Sequence, residues 1–133
     1  MVDKGKLEIM QNLQKKIFAA DKELQVMSHE KRMHWLATAL IGESVEVLNA
    51  TRFRHWKDEL PDAKKLVKEE IIDILHYFLD LTIEMGMGPE EIINMYEEKA
   101  CKNILRFQIG KKEADEVFKN EEKKKEWIKK LIN

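Results

Sequence analysis

Residues 33–50 read MHWLATALIGESVEVLNA, and their periodicity decides the fold class. Leu36, Leu40, Val47 and Ala50 recur at helical spacing, and nothing here alternates as a half-buried strand does. Ser28 is placed to cap this helix, and Met33, Trp35, Ala39 and Leu48 keep it apolar around much of its circumference, so it is expected to be largely buried. Glu43 interrupts the middle of the apolar stripe, and Glu46 lies at its edge. Burying an ionised carboxylate costs several kcal/mol, against a domain stability of about 5–15 kcal/mol, so something must compensate.

A second long helix is expected from Pro61, which suits a first turn, to Met85, with Gly86 as terminator. Glu70, Asp73, Tyr77, Asp80 and Glu84 form its one polar stripe. Alone, that stripe reads as readily as a solvated face. Beside Glu43-x-x-Glu46 it reads differently, because acids at i and i+3 share a helix face, and two such helices packed together converge Glu43, Glu46, Glu70 and Asp73. Four carboxylate groups point to hard cations. Mg²⁺ takes one or two protein carboxylates and completes its shell with waters and substrate phosphates, so four acids imply more than one ion. A triphosphate would be repelled by uncompensated acids; bridged by metal, it offers a phosphorus atom to a metal-activated water. Glu46, at the stripe's edge, is the acid best placed to orient or deprotonate that water.

The rest of the chain reads as helix too. Leu7, Met10, Leu13 and Ile17 give a first helix from about residue 5 to Ala20 or beyond. Gly88-Pro89-Glu90-Glu91 opens a fourth that reaches about Ile109 before Gly110, and Lys111–Asn133 is expected to form a fifth, peripheral helix. The expected architecture is therefore all-α, a bundle of about five helices in one domain spanning residues 1–133, with two long central helices carrying the acids. On the fourth helix Lys99, Asn103 and Arg106 stand at i, i+4 and i+7, with Lys111 and Lys112 following. Such donors can clamp phosphate oxygens, although a solvated Lys-Asn-Arg face is the commoner arrangement.

Charged residues make up 37% of the chain, yet the net charge is −1, which argues against a nucleic-acid partner. One cysteine and no apolar signal-peptide core fit a cytoplasmic protein. No apolar run approaches the roughly 20 residues of a membrane span. Both central helices show more apolar circumference than one chain of this length covers, so self-association is expected, a dimer ahead of a tetramer. Two other metal readings fail on spacing. His29 and His34 are five apart, not four as a zinc-protease helix needs, and Asp73-x-x-His76 lacks the second motif of a di-iron bundle. His76 reads better as a packing or hydrogen-bonding residue.

Glu43-x-x-Glu46 followed by Glu70-x-x-Asp73 resembles the metal motif of the all-α, MazG-like nucleoside triphosphate pyrophosphohydrolases. Three flanking segments resemble the dimeric dUTPase branch, which includes phage dCTPase-dUTPases. Arg52-Phe53-Arg54-His55-Trp56 is similar to its aromatic segment, Lys99-x3-Asn103-x2-Arg106-x3-Gly110 to its phosphate-binding stretch, and Met10-Gln11-Asn12-Leu13-Gln14 to its first-helix base-reading segment. The resemblance implies a Mg²⁺-dependent oligomer that cleaves dUTP to dUMP and pyrophosphate. It implies that Glu43, Glu46, Glu70 and Asp73 hold the metals, that Lys99, Asn103, Arg106 and Lys112 serve phosphate and sugar, and that Gln11, Gln14 and Trp56 line the base pocket. Gln14 stands where the family usually has Asn, Phe107-Gln108 where it has Gln-Asp, and Lys111 where it has Tyr. These departures touch the base and phosphate ends, so a dCTP-preferring or broad pyrophosphohydrolase stands as the alternative substrate reading. A non-catalytic helical interaction protein is the alternative of another class.

Overall fold

A computed structural model describes residues 4–51 and 62–133. Its contacts divide the chain into two compact units, one spanning Glu8–Met87 and the other Gly88–Asn133 with the chain's start to Leu7. Among the described residues there are seven α-helices and no strand, so the all-α class holds.

The first unit contains the bulk of α1 (Lys4–Ala20), the single-turn α2 (Lys22–Gln25), α3 (His29–Ala50) and α4 (Ala63–Glu84). Each boundary has a local cause. Asp21 separates α1 from α2 by accepting hydrogen bonds from the backbone N–H groups of Glu23 and Leu24, and Ser28 Oγ accepts from Lys31 at the start of α3. At the end of α4, Gly86 takes φ +68°, its N–H donates to Ile83, and the Met87 N–H donates to Thr82. That pairing closes the last turn, and the left-handed residue it needs is the one a glycine supplies without strain. Pro61, expected in the first turn of α4, lies outside the described residues; the helix is seen from Ala63.

The second unit contains α5 (Pro89–Ile109), α6 (Lys111–Lys119) and α7 (Glu121–Ile132), which pack on one another. Pro89 opens α5 with Glu90 and Glu91 in its first turn, as expected. The expectation of one helix over Lys111–Asn133, and of about five in all, is corrected by Asn120. That residue turns extended, and its side chain accepts from the N–H groups of Glu122 and Lys123, starting a new helix. Two caps, Asp21 and Asn120, thus account for the difference between five helices and seven.

Burial brings a larger correction. α3 and α4 pack along one another, yet α3 buries only Leu36 and Ala50, while Ile41, Val45 and Leu48 stay exposed. It is not largely buried. On α4 the polar stripe faces inward: Asp80 is 6% exposed, the Glu84 side chain is equally covered, and Glu70, Asp73 and Tyr77 are half-buried. Ile71, Ile72 and Phe78 of the same helix are exposed, as is Met85 at its C-cap, while Leu79 is buried. The interior of this unit is therefore substantially polar, and α1 is tied to α4 by hydrogen bonds from Gln11 and Gln14.

Candidate functional site

Glu43 on α3 and Glu70 and Asp73 on α4 bring carboxylate oxygens within 4.8 Å of one another. Packing of α3 on α4 produces this convergence, and the i, i+3 spacing on α4 aims its two acids the same way. Glu70 feels the crowding most. A hydrogen bond with Glu43 is the chief reason its carboxyl sits above the ordinary glutamate range, and partial desolvation and the charges of Glu43, Asp73 and Glu46 add to it. Like charges so close disfavour the ionised form of Glu70. Glu46 is exposed; its charge acts on Glu70, but it stands outside the trio. Three of the four expected acids therefore converge, and the fourth lies close by.

An all-oxygen set of carboxylates that repel one another suits a hard divalent cation such as Mg²⁺, whose charge would offset that repulsion. A cavity of about 270 Å³ opens beside them, lined among others by Gln14, Phe18, Trp35, Glu43, Asp73 and Tyr77. It lies just under the roughly 300–1,000 Å³ of ordinary ligand clefts, a size for one small ring system. Aromatic surface and two of the three acids share its wall. Trp35 meets Tyr77 edge-on, with ring centroids 6.1 Å apart. Burial, followed by the charges of Glu43, Asp80 and Asp73, pushes the Tyr77 phenol above its ordinary value.

A buried polar chain lies behind this wall. Gln14 Nε2 donates to Asp80 Oδ1 at 2.8 Å, and His76 Nδ1 lies 2.6 Å from Gln14 Oε1. His76 is thus a hydrogen-bonding residue, as expected, and it and Asp80 also line the cavity. Burial raises the Asp80 carboxyl above its ordinary value, while the Gln14 hydrogen bond and His76 pull it back. Gln11 sits differently. It is fully buried, donates to Thr82 Oγ1 at 3.1 Å and to the Met87 carbonyl at 2.9 Å, and is not among the lining residues. Trp56 lies outside the described residues.

Farther along α4, Arg32 Nε donates to Glu84 Oε2 at 2.8 Å, and His29 Nδ1 lies 2.7 Å from Oε1. Arg32 Nη1 also donates to the Met27 carbonyl at 2.6 Å, tying the segment after α2 to α3. Burial alone would raise Glu84, but the Arg32 and His29 hydrogen bonds outweigh it and hold the carboxyl below its ordinary range.

Lys99, Asn103, Arg106 and Lys112 belong to the second unit. Lys99, Asn103 and Lys112 are exposed; Arg106 is half-buried and donates from Nε and Nη2 to Asp115 Oδ1, at 3.2 and 2.8 Å. Lys102 Nζ approaches the same oxygen at 3.6 Å. Arg106, with Lys102 assisting, holds the Asp115 carboxyl below its ordinary value. Sequence reading missed Asp115 as a partner, since it lies beyond the Gly110 turn and no periodicity links it to Arg106. It also left Asp80 as one polar residue of a stripe, although burial sets it apart.

A family model described as dUTPase matches residues 6–133. Among curated proteins, a dCTP pyrophosphatase of Enterobacteria phage LZ5 is 35% identical over 54 residues, covering 41% of this chain and 31% of that protein. The alignment thus spans less than a third of the relative's length. No solved structure matches.

Proposed function

The chain belongs to the dUTPase family, and from that premise we propose that it is a Mg²⁺-dependent nucleoside triphosphate pyrophosphohydrolase, with dUTP hydrolysed to dUMP and pyrophosphate as its leading reaction. The observation that carries this reading is the convergence of Glu43, Glu70 and Asp73 beside an aromatic-lined cavity. Together they offer a place for cations and an adjoining place for one ring. We read residues 1–133 as one functional domain, a reading supported by a single family match that runs through both units.

Glu43, Glu70 and Asp73 would hold Mg²⁺, with Glu46 completing the set for a second ion. Bound there, the metal supplies countercharge to the triphosphate and acidifies water. Glu46, exposed at the edge of the trio, would orient an attacking water and accept its proton. Trp35, Phe18 and Tyr77 keep the neighbouring cavity apolar on one side, where a base can lie, while Gln14 supplies a polar edge. Gln11, proposed with Gln14 for the base, is held on α1 by hydrogen bonds to Thr82 and the Met87 carbonyl. Trp56 is proposed as a further aromatic surface for the base. Lys99, Asn103, Arg106 and Lys112 carry the donors that suit phosphate and sugar oxygens, and Arg106 would exchange Asp115 for such an oxygen.

Exposed apolar residues on α3 and α4 support self-association, with a dimer as the leading state. A cytoplasmic location is proposed with it. Among the described residues no helix is long and apolar enough to cross a membrane.

The phage relative's name favours dCTP as the second substrate reading. Release of pyrophosphate and nucleoside monophosphate, measured over dUTP, dCTP, dTTP, dATP and dGTP with Mg²⁺ and with EDTA, tests both. The expected result is Mg²⁺-dependent release from dUTP that EDTA abolishes. Release from dCTP in preference, or from the nucleotides without distinction, would transfer the assignment to the dCTP-preferring or broad reading, and release from none of the five would leave the non-catalytic interaction protein.

A further inference from the structure

The hydrogen bonds behind the cavity fix more than the position of Gln14. An ionised carboxylate only accepts hydrogen bonds, so the Gln14 group 2.8 Å from Asp80 Oδ1 is its amide nitrogen. The amide oxygen then faces His76, and Nδ1 of that ring must carry the proton to make the 2.6 Å contact. On a neutral ring, Nε2 is left as an acceptor. Among the described residues no protein partner is seen for Nε2. One charge, on a residue 6% exposed, therefore orients an amide that is 3% exposed and fixes a histidine tautomer.

Gln14 keeps one N–H and one oxygen lone pair that neither neighbour uses. Gln14, His76 and Asp80 all line the cavity, and Glu43 and Asp73 of the acid trio line it too. A nucleotide with its phosphates at the trio places its base along this wall. Two adjacent positions on a pyrimidine edge distinguish the common bases: a carbonyl acceptor beside a ring N–H donor in uracil, an amine donor beside a ring-nitrogen acceptor in cytosine. An amide held in one polarity matches only one of these orders in a given pose, and the flipped amide matches the other. Resting on the pyrophosphohydrolase reading above, we propose that Asp80 is a positioning residue that locks the polarity of the Gln14 amide, with His76 as its second anchor, and so sets the choice between uracil and cytosine nucleotides.

The tests are Asp80→Asn and the histidine tautomer. An asparagine can accept from or donate to Gln14, so the amide is free to flip in the variant. The ratio of kcat/KM for dUTP to that for dCTP is expected to differ from unity by at least about 10-fold in the parent, and to move toward unity by about 10-fold or more in Asp80→Asn. That shift should fall mainly in KM, because Asp80 is not one of the three acids that would hold the metal. ¹⁵N NMR of the parent should show His76 protonated on Nδ1. A parent with no preference between the two nucleotides, an Asp80→Asn variant with an unchanged ratio, or a parent ring bare on Nδ1 would each overturn the proposal while pyrophosphate release continued. Absence of pyrophosphate release from the parent would instead sink the pyrophosphohydrolase reading and this inference with it. The tautomer measurement needs no variant, so a failure of Asp80→Asn to fold does not shelter the idea.

Discussion

Glu43, Glu70 and Asp73 crowd carboxylate oxygens within 4.8 Å, an arrangement that opposes folding when no cation is present. Two unit charges at such a distance repel by about 1 kcal/mol when largely exposed to water. Glu43→Gln is therefore expected to leave the metal-free protein at least as stable as the parent, by up to about 1 kcal/mol, read as a Tm in EDTA. The same variant should lose Mg²⁺-induced stabilisation, which for an intact site at 100 times Kd is about 2.7 kcal/mol. A variant that unfolds in EDTA would show that Glu43 serves packing instead. Glu43 was legible because an acid in an apolar stripe has few uses. Asp80 was not, since its stripe has the same pattern whether it faces water or the interior; only the packing of α1 against that face distinguishes the two.

At the level of helices, the Arg32–Glu84 pair shows how α3 is held to α4 at their shared end. Arg32 bonds Glu84 and the Met27 carbonyl, so its loss leaves a carboxylate whose side chain is only 6% exposed with His29 as its one remaining partner among the described residues. Arg32→Met is expected to cost about 3 kcal/mol, measured by urea unfolding. The pH dependence has a definite sign. Glu84 titrates below its usual value of 4.5 in the folded chain, so its contribution is full above that value and is lost as pH falls through the folded pKa. Glu84→Gln should remove this part of the acid-side loss. Glu70 runs the opposite way, since its folded pKa lies above 4.5: its contribution is full below that value and is lost as pH rises through the folded one. Helix identity was legible from periodicity, and the Ser28 and Pro89 starts from their chemistry. The Asn120 break was not, because a Lys- and Glu-rich stretch supports helix on both sides of it, and the decision rests on one side chain bonding two backbone N–H groups.

For the whole molecule, the exposed Ile41, Val45 and Leu48 of α3 and Ile71, Phe78 and Met85 of α4 form more apolar surface than single scattered residues account for. Ile41→Glu is expected to shift the protein from a dimer to the 15.8 kDa monomer in light scattering, with the helical circular dichroism retained. Unchanged mass would place the association surface elsewhere or remove it. The all-α class could be read directly, since it needs only periodicity and the scarcity of breakers. The distribution of burial could not, because one sequence shows which residues are apolar but not which of them a single chain covers.

The inward-facing acids of α4 also bear on how this protein tolerates redesign. Along this helix Glu70, Asp73, Asp80 and Glu84 are more covered than Ile71, Ile72, Phe78 and Met85. A mutant library built on the usual rule, which keeps the oily residues and randomises the polar ones, would scramble the acids that form the trio and meet the cavity. On α4 the acids are the positions to hold constant.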